Sequence, residues 1–314
     1  MRSKSYESNK MRRHHTTPSH PLSRLLSLLM VALVAAPAAF AQSQGQLFAS
    51  ITDQAGAPVE GLTAESFQVQ EDGAIMKILS ANPGTTPMKV ALLVDNSEAI
   101  MLSNGLSALR NGLAGFFETL PLQHEVGLFT VAGRVAPVVD FTTDRDELLA
   151  GADGLFSGSG GTKMIDGMRE TWDRRFSSED AWPVIVMVMT DGPETSGNMN
   201  EDQFTAYTLD LLGGGAMVHV VVLETRGGGM QSQIGQNLTQ NTGGFYRSMN
   251  SPTALQDTLE ELATTMGDHF DEMSPRYRLV YERPGDTPGE QMGAGVVGPN
   301  YKMQLFADRR LPPQ

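Results

Sequence analysis

Two stretches decide how this chain folds: Val90 to Ala99, VALLVDNSEA, and Val184 to Gly192, VIVMVMTDG. In each, an uninterrupted apolar run stops at a carboxylate, Asp95 in the first and Asp191 in the second. Strands buried on both faces read as continuous Val/Ile/Leu runs, whereas strands with one wet face alternate. Two more such runs, Val126 to Val131 (VGLFTV) and Met217 to Leu223 (MVHVVVL), are separated from the first pair by segments long enough for crossover helices. The pattern predicts an α/β fold, a doubly wound and mostly parallel Rossmann-like sheet over residues 88–272.

The intervening segments carry helical signals. Leu102, Leu106, Leu109, Leu113 and Phe117 fall on one face of a helix predicted over Ile100 to Leu120. Thr143-Asp144 offers a cap before Leu148-Leu149, and a helix over Lys163 to Phe176 follows Thr162. In the last helix Ser251 caps, Pro252 takes the first turn, and Leu255, Leu259, Leu262 and Met266 repeat at helical spacing. A short edge strand fits Ala136 to Val139. His219 lies inside an apolar run and reads as a core residue, as do Met187, Met189 and Met217.

Both flanks look different. LFASITD and SFQVQED within residues 42–87, and YRLVY and YKMQLF within 273–314, are strand-like pieces bounded by turn residues. Neither flank is long enough to bury a core unaided, so the expectation is that they pair into one small β-rich domain with the α/β segment inserted. The alternative is two appendages packed separately on the core.

Residues 1–41 are basic at the start and then apolar, with small residues at Ala39 and Ala41, which reads as a secretory signal; a retained anchor is the other reading. The protein is expected outside the cytoplasm, periplasmic or extracellular. The whole chain of 314 residues has 23 basic and 36 acidic residues, a net charge of −13. The first 41 hold six of the basic residues and one acidic, so their removal leaves 17 against 35, a net of −18. Such a remainder repels phosphate backbones and anionic headgroups, which excludes nucleic acid and, after signal cleavage, a membrane as partners. The absence of cysteine excludes disulfide staples, thiolate metal sites and a thiol nucleophile.

In open α/β sheets ligands bind beyond the carboxyl ends of the strands, where Asp95, Ser97 and Asp191 fall. The loop Ser157 to Thr162 (SGSGGT) adds a hydroxyl and close-approaching backbone. Carboxylates and hydroxyls without thiolate or a nearby imidazole form a hard-oxygen set, suited to Mg²⁺ or Mn²⁺ before Ca²⁺ and poorly to zinc.

These residues resemble the metal-ion-dependent adhesion site (MIDAS) of the von Willebrand factor type A (VWA) domain, written Asp-x-Ser-x-Ser, then a loop Thr, then an Asp after a later strand. Asp95-Asn96-Ser97-Glu98-Ala99 looks like the first element, Thr162 in GGTKMIDGM the second and Asp191 in VMTDGPETSG the third. The likeness spans about Gln46 to Phe306 and resembles a bacterial exported VWFA-related subgroup. It implies a protein-interaction or adhesion module in which Ser97 ligates the ion directly, Asp95 and Asp191 largely through water, and Thr162 in either way. A partner's Asp or Glu carboxylate would complete the shell. One position departs: Ala99 stands where a second serine ligand is expected, and Glu98 precedes it. Three outcomes stay open: a weakened site, a vestigial one that leaves a metal-free structural scaffold, or Glu98 recruited as a third carboxylate. A metal-assisted hydrolase is the alternative from another class. It lacks a phosphate loop, a nucleophile elbow and a clustered general base, the histidines 124, 219 and 269 being scattered.

Overall fold

In the computed structural model the described residues are 43–176, 182–192, 194–197, 199–224, 229–283, 285, 289–298 and 300–307, so the segment expected to be a secretory signal lies outside them. The chain runs through β1 (Ser43–Thr52), β2 (Phe67–Glu71), β3 (Ala74–Met76) and β4 (Ile78–Pro83) before entering the α/β region. That region comprises β5 (Met88–Val94), α1 (Glu98–Leu102), α2 (Leu106–Thr119), β6 (Glu125–Thr130), β7 (Ala136–Thr142), α3 (Arg145–Asp153) and α4 (Met164–Arg175), and continues with β8 (Trp182–Thr190), α5 (Glu201–Gly213), β9 (Met217–Leu223), α6 (Met230–Thr242), β10 (Tyr246–Met249) and α7 (Leu255–Met273). The exit is through β11 (Tyr277–Arg283), β12 (Met292–Val296) and β13 (Lys302–Phe306).

The main sheet has the order β10-β9-β8-β5-β6-β7, parallel throughout except for β7, which returns antiparallel to β6. β5, β8 and β9 are buried along their whole length, which is why their sequences are continuous rather than alternating. Alternate side chains still divide between two cores. Val90, Leu92 and Val94 pack with Leu109, Leu113, Phe116, Leu259 and Leu262 from α2 and α7. Ala91 and Leu93 pack with Met164, Met168, Leu211 and Leu238 from α4, α5 and α6. Each large apolar side chain so buried contributes about 1.5–3 kcal/mol, and the two layers together hold the sheet rigid.

The topology fixes where the sheet can bind. From β5 the chain winds outward through β6 and β7, then crosses back to β8 on the other side of β5 and winds away through β9 and β10. The carboxyl ends of β5 and β8 therefore flank the point where strand order reverses, and the connections leaving them diverge to open a crevice.

The flanking segments form two antiparallel sheets, β13-β1-β11-β4 and β12-β2-β3, around a core that includes Leu47, Ile51, Phe67, Val69, Leu279 and Tyr281. β1 pairs with β11 in the register Leu47↔Leu279 and with β13 in the register Ile51↔Met303, so strands from both ends of the described chain share one sheet. β4 and β11, the strands that lead into and out of the α/β region, are themselves neighbours, Tyr277 opposite Pro83.

Two helices differ from their sequence reading. The predicted helix Ile100 to Leu120 is broken into α1 and α2, because Asn104 takes a left-handed backbone (φ 55°) and the Gly105 amide closes back on the Ile100 carbonyl at 2.8 Å. Leu102 consequently leaves the buried face and is 65% exposed. Ser251 and Pro252 begin a 3₁₀ turn, Pro252–Ala254, that feeds α7, and the Ser251 hydroxyl bonds Thr253 instead of capping an amide. Asp144 caps α3 as expected, accepting from the amides of Asp146 and Glu147.

Candidate functional site

The last residue of β5, Val94, lies opposite Val188, and the Asp95 amide continues the ladder to the Val188 carbonyl at 2.8 Å. This pins Asp95 at the mouth of the crevice with its carboxylate turned inward, 1% exposed. One carboxylate oxygen, Oδ2, accepts from the Thr162 hydroxyl at 2.7 Å, from the Thr190 amide at 3.2 Å and from the Thr190 hydroxyl. The other, Oδ1, accepts from the Ser97 amide at 2.8 Å. All four donors are neutral.

The Ser97 side chain completes the cluster in a different way. Its hydroxyl oxygen is buried and has no hydrogen-bond partner among the described residues, and the same holds for the Asn96 side-chain oxygen beside it. A buried hydroxyl left unpaired costs about 1–3 kcal/mol, so such groups are rare in folded proteins and ask for an explanation. An unpaired hydroxyl next to an uncompensated carboxylate and a second hydroxyl, Thr162, is a donor set that fits a hard divalent cation.

The loop carrying Thr162 is tied down from several sides. Asn96 donates to the Phe156 carbonyl at 2.9 Å and accepts at its own carbonyl from the Gly158 amide at 2.7 Å. Thr162 makes single bridges to Ala132 and Glu194, and its carbonyl accepts from the Thr195 amide at 2.7 Å. Gly192 fits because it has no side chain: a Cβ there would stand 3.1 Å from the Ala99 methyl and 3.5 Å from the Thr162 hydroxyl.

Of the residues named from sequence, Asp95, Ser97 and Thr162 are brought together by hydrogen bonds, with Ala99 across from Gly192. Asp191 directly follows the neighbouring strand β8, its amide bonded to the Leu223 carbonyl at 3.1 Å and its Cβ facing Gly229 ahead of α6. Glu98 is exposed, at the start of α1. Among the described residues no group of three or more His, Cys, Asp or Glu side chains converges as a metal cage, so any ion here relies on hydroxyls and water.

Three contributors escaped the sequence reading. Thr190 supplies two of the four bonds to Asp95; its signal was a hydroxyl residue one position before a strand-end Asp. Glu194 accepts from the amides of Met164 at the start of α4 and of Ser196. Gln231 reaches across from α6 to the Gly192 carbonyl at 2.9 Å, a contact between residues 39 apart that nothing local announces.

The histidines lie elsewhere. His124 accepts from the Met88 amide, at the amino end of β5 and thus the far edge of the sheet from Asp95, and burial pushes its pKa down to about 4. His219 is buried in β9 and accepts from the Phe245 amide; burial, with a contribution from His269, pushes its pKa down to about 3. His269 is buried against Trp182. His124 and His219 are core imidazoles held neutral.

A family model described as the von Willebrand factor type A domain matches residues 90–194. Solved structures with a similar fold include a von Willebrand factor type A protein from Catenulispora acidiphila, 11% identical, with a TM-score of 0.49 over 84% of this chain and 70% of that one. The conserved hypothetical protein BatB from Bacteroides thetaiotaomicron is 15% identical, TM-score 0.45, over 58% of this chain and 99% of that one. Proximal thread matrix protein 1 from the mussel byssus, with a zinc-occupied MIDAS motif, is 15% identical, TM-score 0.46, over 57% of this chain and 47% of that one. The chain thus spans about half the length of the mussel protein. No curated protein sequence matches it.

Proposed function

From the match of residues 90–194 to the von Willebrand factor type A domain we propose that the protein is an exported interaction module that engages a protein partner through a divalent cation at the β5/β8 crevice. The observation that carries this reading is the Asp95 carboxylate, 1% exposed and answered among the described residues by neutral donors alone, beside the buried Ser97 hydroxyl that has no partner among them. A buried charge without a counter-charge is costly, and a bound cation removes that cost.

In this proposal Ser97 and Thr162 offer hydroxyl oxygens to the ion, and Asp95 and Asp191 hold it through water. The ion, Mg²⁺ or Mn²⁺, supplies a Lewis-acidic position that a partner's Asp or Glu carboxylate occupies. Ala99 removes one hydroxyl ligand without altering the site's charge, which weakens the ion's hold rather than abolishing it. Binding fits the surroundings better than turnover: among the described residues the imidazoles are core groups, with His124 at the opposite end of β5 from Asp95, so no imidazole stands beside the crevice to move a proton. The leader-like residues 1–41 support placement outside the cytoplasm and membership of the exported VWFA-related subgroup. No helix among the described residues is long and apolar enough to cross a membrane.

A second reading, a metal-free scaffold, has one observation in its favour: the Thr162 and Thr190 hydroxyls and two amides already give Asp95 four hydrogen bonds. Melting curves in Mg²⁺, Mn²⁺, Zn²⁺ and EDTA separate the two. If the ion binds with a Kd of about 100 μM, 1 mM Mg²⁺ stabilises the fold by RT ln 11, about 1.4 kcal/mol, and Asp95→Ala or Asp95→Asn removes the gain. Superimposable curves in metal and in EDTA would leave only the scaffold.

A further inference from the structure

Beside the crevice, on the far side of the Thr162 loop, lies a cavity of about 420 Å³ lined by Gly133, Arg134, Lys163, Asp166, Arg169 and Glu170. Its wall is continuous with the candidate cation site: Lys163 follows Thr162 in the chain, its amide bonds the Val131 carbonyl at 3.0 Å, and the Gly133 amide bonds the Gly161 carbonyl at 2.9 Å. In a chain with 36 acidic and 23 basic residues, this cavity holds three cations and two carboxylates.

The pairing inside it is uneven. Asp166 is shared by Lys163 at 3.0 Å and Arg169 at 3.7 Å, and Lys163 also donates to the Thr195 carbonyl. Glu170 is engaged from outside the cavity by Arg174 at 2.5 Å. That leaves Arg134, exposed at the rim, as the lining cation whose side chain has no ion-pair or hydrogen-bond partner among the described residues. The Gly133 turn that presents it is fixed by a left-handed backbone (φ 66°), and a Cβ at Gly133 would stand 2.5 Å from the Ser159 carbonyl oxygen.

We propose that this cavity, with Arg134 as its fork, binds an acidic side chain of a partner polypeptide, adjacent to the one that engages the cation. Guanidinium matches a carboxylate in plane and can hold it bidentately. A single carboxylate suits the cavity better than a phosphate, since Asp166 and Glu170 repel a dianion more strongly than a monoanion. The placement beside a bound cation rests on the function proposed above; the charge balance of the cavity stands without it. Together the two sites select a segment with two acidic residues, which explains how so acidic a protein holds an acidic partner.

The test uses the chain from residue 42 onward, a fluorescent deca-aspartate peptide and a matched peptide with one Asp in a Gly/Ser background, at low ionic strength. Arg134→Glu is expected to lower deca-aspartate affinity about tenfold both in Mg²⁺ and in EDTA, with the melting temperature unchanged, and Arg134→Lys to lose only part of it. Asp95→Ala is expected to lose only the Mg²⁺-dependent increment, so failure of the cation site and failure of the cavity are read separately. Amide resonances of Gly133, Arg134 and Lys163 should shift on titration. Equal affinity of wild type and Arg134→Glu, absence of wild-type binding at 1 mM peptide, or displacement by inorganic phosphate at concentrations equal to the peptide would each overturn the assignment.

Discussion

Two buried carboxylates in this molecule are treated in opposite ways. Glu71, 5% exposed in the flanking β region, meets Arg283 at 3.0 and 3.1 Å and accepts from the Gly289 amide, while Arg283 also donates to the Tyr281 hydroxyl. Its charge is fully answered; the hydrogen bond from Arg283 holds its pKa below the usual carboxylate range. Asp95, more deeply buried, meets only neutral donors among the described residues. The first arrangement is closed and serves to fasten β2 to β11 across the flanking sheets. The second leaves a buried charge answered by neutral groups among the described residues, and the ion proposed above would be its counter-charge.

The largest effect that tests this contrast comes from deletion of each acid. Glu71→Ala leaves the Arg283 guanidinium buried without its partner and should cost about 3–5 kcal/mol in urea unfolding. Asp95→Asn in EDTA should cost about 1 kcal/mol or less, because a removed uncompensated charge offsets the weakened hydrogen bonds. Equal losses at the two positions would show that Asp95 is as structurally committed as Glu71.

Next in size is the acid response. His124 has a folded pKa of about 4 against an unfolded value near 6.5, so the unfolded chain takes up the proton first. Stability is therefore fully present above pH 6.5 and falls as pH drops toward 4, by about 3 kcal/mol from this group, and His219 acts in the same direction. The Glu71 pair adds its loss only lower, through the carboxylate range, since its folded pKa is depressed. Unfolding midpoints measured from pH 7.5 to 4 should show the decline, and His124→Gln should remove part of it. A flat profile over that interval would contradict the burial of neutral imidazole.

Smaller effects sharpen the comparison at the crevice itself. Ala99→Ser returns a hydroxyl where the family pattern places one and should tighten Mg²⁺ binding about fivefold by calorimetry, without a matching change in EDTA stability. Thr190→Val deletes one hydroxyl bond to Asp95 and leaves the amide in place. It should lower stability by about 1 kcal/mol in EDTA and by less in Mg²⁺, when the carboxylate has another partner. A larger loss in Mg²⁺ than in EDTA would mark Thr190 as part of the ion site.

Much of this arrangement was legible before any coordinates. The apolar runs ending at Asp95 and Asp191 identified parallel strands and where they stop, since a strand buried on both faces leaves no polar position until it reaches solvent. The break at Asn104-Gly105 was missed because the spacing from Leu102 to Phe117 satisfies a helix whether or not the backbone turns within it. Thr190, Glu194 and Gln231 were missed because each acts on a residue distant in sequence, and a lone hydroxyl, acid or amide carries no local signature of its partner.

The order of residues alone determined which segments are strands, which helices cover them, the overall charge and which carboxylates and hydroxyls stand at the strand ends, because these follow from local periodicity and composition. Only the tertiary structure decided that β5 and β8 lie side by side, that Asp95 receives neutral donors while Glu71 receives Arg283, and that the Arg134 side chain is left without a partner among the described residues at a rim. Those outcomes depend on which distant groups share a few ångströms of low-dielectric space, and electrostatic energy is set by that separation and not by position along the chain.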